Sequence, residues 1–358
     1  MAQEHIVILA FYIFTFLTGL PSNLLACYTF LMKVRRKPAP IDILLLNLTV
    51  SDLILLLFLP FKMVEAAANM SWPLPMFLCP LTNFCFYSSI YLSTLFLMAV
   101  SVERFLNVAY PVKYKLLRRP AYTVAASFFF WLIAYSHLSV IFIIQGDNST
   151  QTQDPGDFHC YDNFSPSQLS IVLPFRLELC VVLFCIPFLI TLFCYVNVIR
   201  ILASLPNIQP HKKQRAVGLA VATLLNFAIC FAPYNISHIV GFILKNSSPW
   251  RAEVLVISAL NTTLDPIVFF FSSTAIRRNF TTCFRGTCMK LKASDSPCSC
   301  CRCPEKSGKE TDAGTASSEF YPGTRTATEA SCDQVSEVRA SHPAQQAHPA
   351  KRGVHSAH

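Results

Sequence analysis

A chain of 358 residues that is 53% hydrophobic, only 14% charged and carries 30 Phe is not composed like a soluble globular domain; it is composed like a multi-span membrane protein. The formal net charge of +9 would suit a nucleic-acid binder if the basic residues formed one patch. They fall instead mostly into separate clusters between apolar runs: Lys33, Arg35, Arg36 and Lys37; Lys113, Lys115, Arg118 and Arg119; Arg200, Lys212, Lys213 and Arg215; Arg277, Arg278, Arg285, Lys290 and Lys292. The excess charge therefore describes topology, and no nucleic-acid partner is expected.

Seven apolar runs emerge in order, at roughly 6–32, 41–68, 76–108, 120–144, 168–203, 212–243 and 250–273, each long enough to cross a bilayer as a helix. The expected fold is an all-α, seven-transmembrane helix bundle. Each basic cluster follows an odd-numbered run, which puts those gaps in the cytosol, the N-terminus outside and the C-terminus inside. The other gaps hold Asp147, Asp154, Asp157 and Asp162 and little base, with N-x-Ser/Thr sequons at Asn69, Asn148 and Asn246 as glycosylation candidates on the outer face. Asn47, Asn235 and Asn261 also head sequons but lie inside apolar runs, so only the agreement with charge gives the outer ones weight. MAQEHIVILAFY has neither a basic n-region nor a small-residue cleavage site and reads as a signal anchor. The runs show no internal repeat, which argues against a transporter built from inverted halves.

The third run is the axis of the chain. From Cys79 to Arg104 it reads CPLTNFCFYSSIYLSTLFLMAVSVER, uncharged until Glu103. As a helix it is about 38 Å long, against roughly 30 Å of hydrocarbon, so Cys79 meets one membrane face and Glu103-Arg104 the other. Tyr87 and Tyr91 share one helical face between them. Cys79 and Cys160 are the cysteines assigned to the outer face, where disulfides form, and their pairing would tie the second outer loop to the third span.

Polar residues inside apolar spans are costly and default to function. Asn23, Asp52, Ser93, Asn261 and Asp265 are such residues. Isolated helix-packing hydrogen bonds are one reading; the other is a shared network able to hold Na⁺ at Asp52, Ser93, Asn261 and Asp265, since two carboxylates need a cation or proton nearby. No cofactor is required. Lys62 and Glu65, one turn apart, read as mutual partners. After Phe271, Ile276, Phe280, Cys283, Phe284 and Thr287 follow helical spacing beside basic residues, as in an amphipathic helix on the inner membrane surface, with Cys283 and Cys288 as palmitoylation candidates. Residues 1–288 thus form the membrane domain. Residues 289–358, rich in Ser, Thr, Pro and Gly, read as a disordered cytoplasmic tail. The cysteines from Cys298 to Cys303 lack zinc-like spacing, so no metal site is assigned.

Seven spans with Asn23 in the first, LTVSD around Asp52, Glu103-Arg104-Phe105 closing the third, and Trp131, Pro187, CFAP at 230–233 and DPIVF at 265–269 resemble the rhodopsin-like (class A) G-protein-coupled receptors. The resemblance covers about residues 6–288. It implies a G-protein switch at Glu103, Arg104, Asp265 and Pro266, with Glu103 holding Arg104 at rest, and arrestin as a second cytosolic partner. Thr311, Thr315, Ser317 and Ser318, beside acidic residues in the tail, are candidate phosphorylation sites for arrestin. The chain departs from the usual pattern at Phe105, Phe231 and Phe269, where Tyr, Trp and Tyr are customary.

LPFKMVEAA, FYSSIYLS, CYDNFSPSQLSIVLPFRLELC, LLNFAICFAPYNISHIVGF and SSPWR are similar more closely to the short-chain free fatty acid receptors, types 2 and 3. That resemblance implies a plasma-membrane receptor whose carboxylate ligand is held by Arg176 and Arg251, with His238, Tyr234, His137 and Tyr87 around it. It also implies coupling to Gi/o and, as a further class, Gq proteins.

The residues carry part of this unaided. Arg176 lies about two turns into the fifth run, too deep for a loop charge, and a guanidinium in a low-dielectric site is a natural carboxylate anchor. Its competing role is an internal salt bridge to Asp162; Glu178, two residues on, points off its face. Arg251 opens the seventh run, and Tyr234 and His238 share a face of the sixth at a similar outer depth, with Tyr91 one turn below Tyr87 on the third. His137 on the fourth run is the outlying member. Another small carboxylate or a hydroxy acid remains the alternative ligand. An opsin is excluded because Ala252 to Phe271 contains no Lys, and an amine receptor is disfavoured because the third span has no acid above Glu103. A channel or transporter would need a file of ionisable residues, and an enzyme a nucleophile or metal motif; neither is present.

Overall fold

In hydrocarbon every backbone N–H and C=O must be satisfied within its own segment, so each apolar run has little choice but to become a helix. The computed structural model describes residues 2–117, 119–146, 160, 165–205, 209–248, 250–279 and 281. Its helices are α1 (Ala2–Arg36), α2 (Pro40–Ala67), α3 (Leu78–Ala109), α4 (Pro111–Leu117), α5 (Pro120–Gly146), α6 (Pro166–Cys180), α7 (Ile186–Ser204), α8 (Pro210–Asn226), α9 (Ala232–Leu244), α10 (Arg251–Ala259) and α11 (Asn261–Ser272). There is no strand among the described residues. Seven helical stretches are long and apolar enough to cross a membrane, at the positions of the seven expected runs.

The fifth, sixth and seventh spans are each assembled from two helices, which hydropathy alone does not reveal. α6 passes into α7 through a π-helical turn at Val181–Cys185, and α8 into α9 through another at Phe227–Phe231. Both turns run up to a proline, Pro187 or Pro233, at the second position of the next helix. Proline has no N–H to offer, and its ring crowds the carbonyl four residues back, so carbonyls before it need other donors. Thr94 of α3 donates to the Leu183 carbonyl, four residues before Pro187, at 2.6 Å. Ser258 of α10 donates to the Cys230 carbonyl, three before Pro233, at 2.8 Å. Irregular backbone at membrane depth is thus satisfied from neighbouring helices.

The bundle is apolar outward and partly polar inward. Leu17, Leu57, Phe128, Leu189 and Ile243 are 61–71% exposed on the outside, whereas Asn23, Asp52, Asn261 and Asp265 are fully buried. α3 occupies the axis: every residue from Phe86 to Leu97 is buried, and it packs on α2, α5, α7 and both π turns. Its N-terminal end is fixed by the Cys79–Cys160 disulfide, packed on Trp72. α6 starts with a capping box, Ser165 accepting from the Gln168 backbone N–H while the Gln168 side chain accepts from that of Ser165. Lys33 in the last turn of α1 pairs with Asp42 in the first turn of α2.

The start of the expected surface helix is described as far as residue 281; Ile276 is fully buried and Asn279 donates to Thr29 at 3.0 Å. Phe280, Cys283, Cys288, Asn148, Asp162 and the expected boundary at 288/289 lie outside the described residues.

Candidate functional site

Toward the end of the bundle that carries the disulfide, four helices bring their polar side chains to one place. Arg176 comes from α6, Tyr234 and His238 from α9, Arg251 from the first position of α10, and Tyr87 and Tyr91 from α3; all six are buried. Arg251 Nη2 donates to the Tyr87 hydroxyl at 3.1 Å, with its guanidinium 5.9 Å from the centre of the Tyr87 ring. Tyr87 stacks on Tyr234, centroids 5.9 Å apart and planes 14° from parallel. Tyr234 meets the edge of His238 at 4.5 Å, and the Tyr91 hydroxyl lies 3.2 Å from His238 Nε2. Arg176 Nη1 donates to the Ser247 hydroxyl at 3.2 Å. The two guanidinium groups are near enough to repel each other, and both bear on His238.

Chemically, this is two forked cations at one buried place, held by phenols that leave their planes defined. Two fixed guanidinium groups in a low-dielectric setting are suited to a planar anion, and the neighbouring hydroxyls and imidazole can orient what is attached to it.

Sequence reasoning named five of the six as ligand contacts from the resemblance and added Tyr91 on the same face. Ser247 escaped it, being a loop serine with no distinguishing context. His137 has partners of its own. Its Nε2 lies 3.2 Å from Glu178 Oε1, its Nδ1 is 2.9 Å from the Ile133 carbonyl, and its ring stacks on Phe175. It therefore bridges α5 to α6, the helix that carries Arg176. The same contact shows that Glu178 does point off the Arg176 face. Lys62 and Glu65 pair at 2.7 Å, both buried.

A second polar group lies deeper. The Asp52 and Asp265 carboxyls are both fully buried and near enough to act on each other electrostatically. Ser93 approaches Asp52 at 3.5 Å, and Asn226 Nδ2 donates to Asp265 Oδ1 at 2.6 Å. Asn226 was overlooked, although an Asn in an apolar span carries the same signal as the residues that were singled out. Asn23 donates instead to the Thr262 carbonyl at 2.7 Å, which ties α1 to α11. The Asn261 amide makes no hydrogen bond among the described residues, and Asp52 Oδ2 likewise has none. Asp265 Oδ2 is the second such carboxyl oxygen.

At the opposite end of the bundle the expected ion pair between Glu103 and Arg104 is not formed. The Tyr114 phenol donates to Glu103 at 2.5 Å, and Arg104 Nη2 donates to the Ser272 carbonyl at 2.8 Å. Neighbours in sequence point roughly 100° apart on a helix, so each finds its own partner on a different element. Phe269, in place of the usual Tyr, is fully buried edge-on to Phe30 at 5.5 Å. Phe231 packs edge-on to Phe227 at 5.6 Å.

The geometry is that of a seven-helix membrane receptor, with a charged site near one face and an arginine-centred contact at the other. Residues 22–269 match the family described as 7 transmembrane receptor (rhodopsin family), and the chain belongs to it. It is a multi-pass plasma-membrane protein, not an enzyme, of the free fatty acid receptor type. The mouse free fatty acid receptor 2 is 53% identical over 76% of this chain and 84% of its own length. The human free fatty acid receptor 3 is 48% identical, covering 80% and 82%, and the human free fatty acid receptor 2 is 47% identical, covering 76% and 84%.

Proposed function

We propose that this receptor is switched by short-chain carboxylates bound between Arg176 and Arg251, and that it signals through Gi/o and, as a further class, Gq proteins. The observation that carries the reading is the convergence of two buried guanidinium groups from different spans, each hydrogen-bonded to a hydroxyl, beside His238, Tyr91 and Tyr234. Relatives about half identical in sequence are named for free fatty acids, and the site offers the charge such a ligand needs. Asp52, Ser93, Asn261 and Asp265 would hold an allosteric Na⁺, which supplies positive charge between the carboxyls. The N-terminus is outside and the C-terminus cytoplasmic, with Asn69 and Asn246, both exposed, as glycosylation sites beside Asn148. Acylation at Cys283 and Cys288 and arrestin binding to the phosphorylated tail complete the proposal.

The test is a dose-response panel of C2 to C6 acids against their amides, read by cAMP and Ca²⁺ in cells expressing the full chain. Acids should act and amides should lose most potency. Equal potency of acid and amide would overturn the reading.

A further inference from the structure

The turn that joins α9 to α10 bears on both arginines of the buried cluster. α9 ends at Leu244, and Arg251 is the first residue of α10. Between them Lys245 takes the left-handed conformation, φ 52°, and its N–H and that of Asn246 both return to the Gly241 carbonyl. The Ser247 N–H donates to Asn246 Oδ1 at 2.8 Å, and the Arg251 N–H donates to the Ser248 carbonyl at 3.2 Å. A residue other than glycine stays left-handed only where its surroundings determine it, so the turn has a defined shape. Gly241 permits that shape: a Cβ there would lie 3.0 Å from the Asn246 carbonyl oxygen, a backbone atom with no rotamer to change.

The shape puts the Ser247 hydroxyl where Arg176 Nη1 donates to it, at 3.2 Å. One short piece of chain thus holds Arg176 of α6 by a side chain and Arg251 of α10 by its main chain. An arginine has several soft torsions, and fixing it before a ligand arrives removes an ordering cost from binding. A hydroxyl occupies one N–H of the guanidinium and adds no charge, so it orients the fork without neutralising it. We propose that Ser247 is a positioning residue of the carboxylate site, and that the turn from Lys245 to Ser248 sets how far apart Arg176 and Arg251 stand. This rests on the reading that those two arginines clamp the ligand.

Ser247→Ala removes the hydroxyl and leaves the sequon formed by Asn246 and Ser248 intact. In cells expressing the full chain it should lower butyrate potency about 2- to 12-fold at matched surface expression, with the maximal response unchanged, as expected when one long side chain must be ordered on binding. Ser247→Thr, which keeps a hydroxyl, should stay within about twofold of wild type. Gly241→Ala keeps every polar group but displaces the turn, and should lose potency over the same range as Ser247→Ala. On purified receptor, Ser247→Ala should leave the ligand-free Tm unchanged and shrink the rise that butyrate gives, a split that a merely structural bond would not produce. Wild-type potency in Ser247→Ala, beside an Arg176→Ala variant that has lost it, overturns the positioning role and leaves the carboxylate site standing. Wild-type potency in Arg176→Ala at normal expression removes the site, and this proposal with it. Equal losses in Ser247→Ala and Ser247→Thr, or wild-type potency in Gly241→Ala, also overturn it.

Discussion

Arg104 Nη2 reaches across from α3 to the carbonyl of Ser272, the last residue of α11, at 2.8 Å. Arg215 of α8 donates to the preceding carbonyl, Phe271, at 3.2 Å. Carbonyls at a helix C-terminus are unsatisfied and carry partial negative charge, so guanidinium groups are favourable there. The third, sixth and seventh spans are thus held together at one end of the bundle by two arginines on adjacent carbonyls of one helix, with Glu103 occupied elsewhere.

If the G protein engages this end of the bundle, Arg104 is the cation that opening would release. Arg104→Ala should abolish agonist-driven nucleotide exchange on the G protein while agonist binding stays measurable. Wild-type exchange in that variant would remove Arg104 from the mechanism.

Gly218 tests the same closure from the other side. A Cβ at this position would lie 2.5–2.8 Å from atoms of the Phe271 ring. Either the ring or α8 must shift, and overpacking of this kind costs about 1–3 kcal/mol. Gly218→Ala should push α8 away from the end of α11 and raise basal nucleotide exchange, by about tenfold for each 1.4 kcal/mol taken from the closed state. Unchanged basal exchange at equal surface expression would show that the ring yields and the helix does not.

The seven spans were legible because hydrocarbon imposes a length and a composition on whatever crosses it. The buried polar residues were legible for the same reason: Asp52, Ser93 and Asp265 stand out from their apolar surroundings and do meet. What sequence does not carry is which way a side chain leaves its helix once several partners are available. Glu103 and His137 each had a plausible partner by proximity or analogy, and each takes another, Tyr114 or Glu178, supplied by an element whose position no local pattern reveals. Pro187 and Pro233 are visible in the fifth and sixth runs, but that the backbone before them forms a π turn with a carbonyl satisfied by Thr94 or Ser258 depends on packing between spans.

The Asp52 and Asp265 pair should make thermal stability depend on sodium. At a free concentration about tenfold above its Kd, a ligand of the folded state contributes roughly 1.4 kcal/mol. Replacing choline chloride by NaCl at constant ionic strength should therefore raise the Tm of the purified receptor by a few degrees, and Asp52→Asn should remove the difference. Asn226→Leu, which strips Asp265 of its 2.6 Å donor, should cost about 1–3 kcal/mol in either salt, because a buried acceptor loses its partner. A Tm indifferent to the cation would leave the two carboxyls sharing a proton.

The ligand anchor gives the most discriminating set, because the structure divides its residues into kinds. If Arg176 and Arg251 clamp one carboxylate, removing either leaves a charge half paired in a buried site, a loss of about 2–5 kcal/mol or roughly 30- to 4,000-fold in affinity. Arg176→Lys should fail nearly as badly as Arg176→Ala, since an ammonium cannot reproduce the planar fork. Tyr87→Phe keeps the ring that Arg251 faces and the stack on Tyr234 but removes the hydroxyl that accepts from Arg251 at 3.1 Å. It should cost only a single hydrogen bond, about 0.5–1.5 kcal/mol or 2- to 12-fold, and so should His238→Ala if the imidazole makes one neutral contact with the ligand. His137→Ala belongs to another class. Its ring contacts Glu178 and Phe175, outside the cluster, so acid potency should stay within about threefold while surface expression falls modestly. Dose-response curves for acid and amide, paired with surface-expression counts on every variant, separate these outcomes. Loss of potency in His137→Ala matching that in Arg176→Ala would put His137 back in the site, and wild-type potency in Arg176→Ala at normal expression would end the clamp.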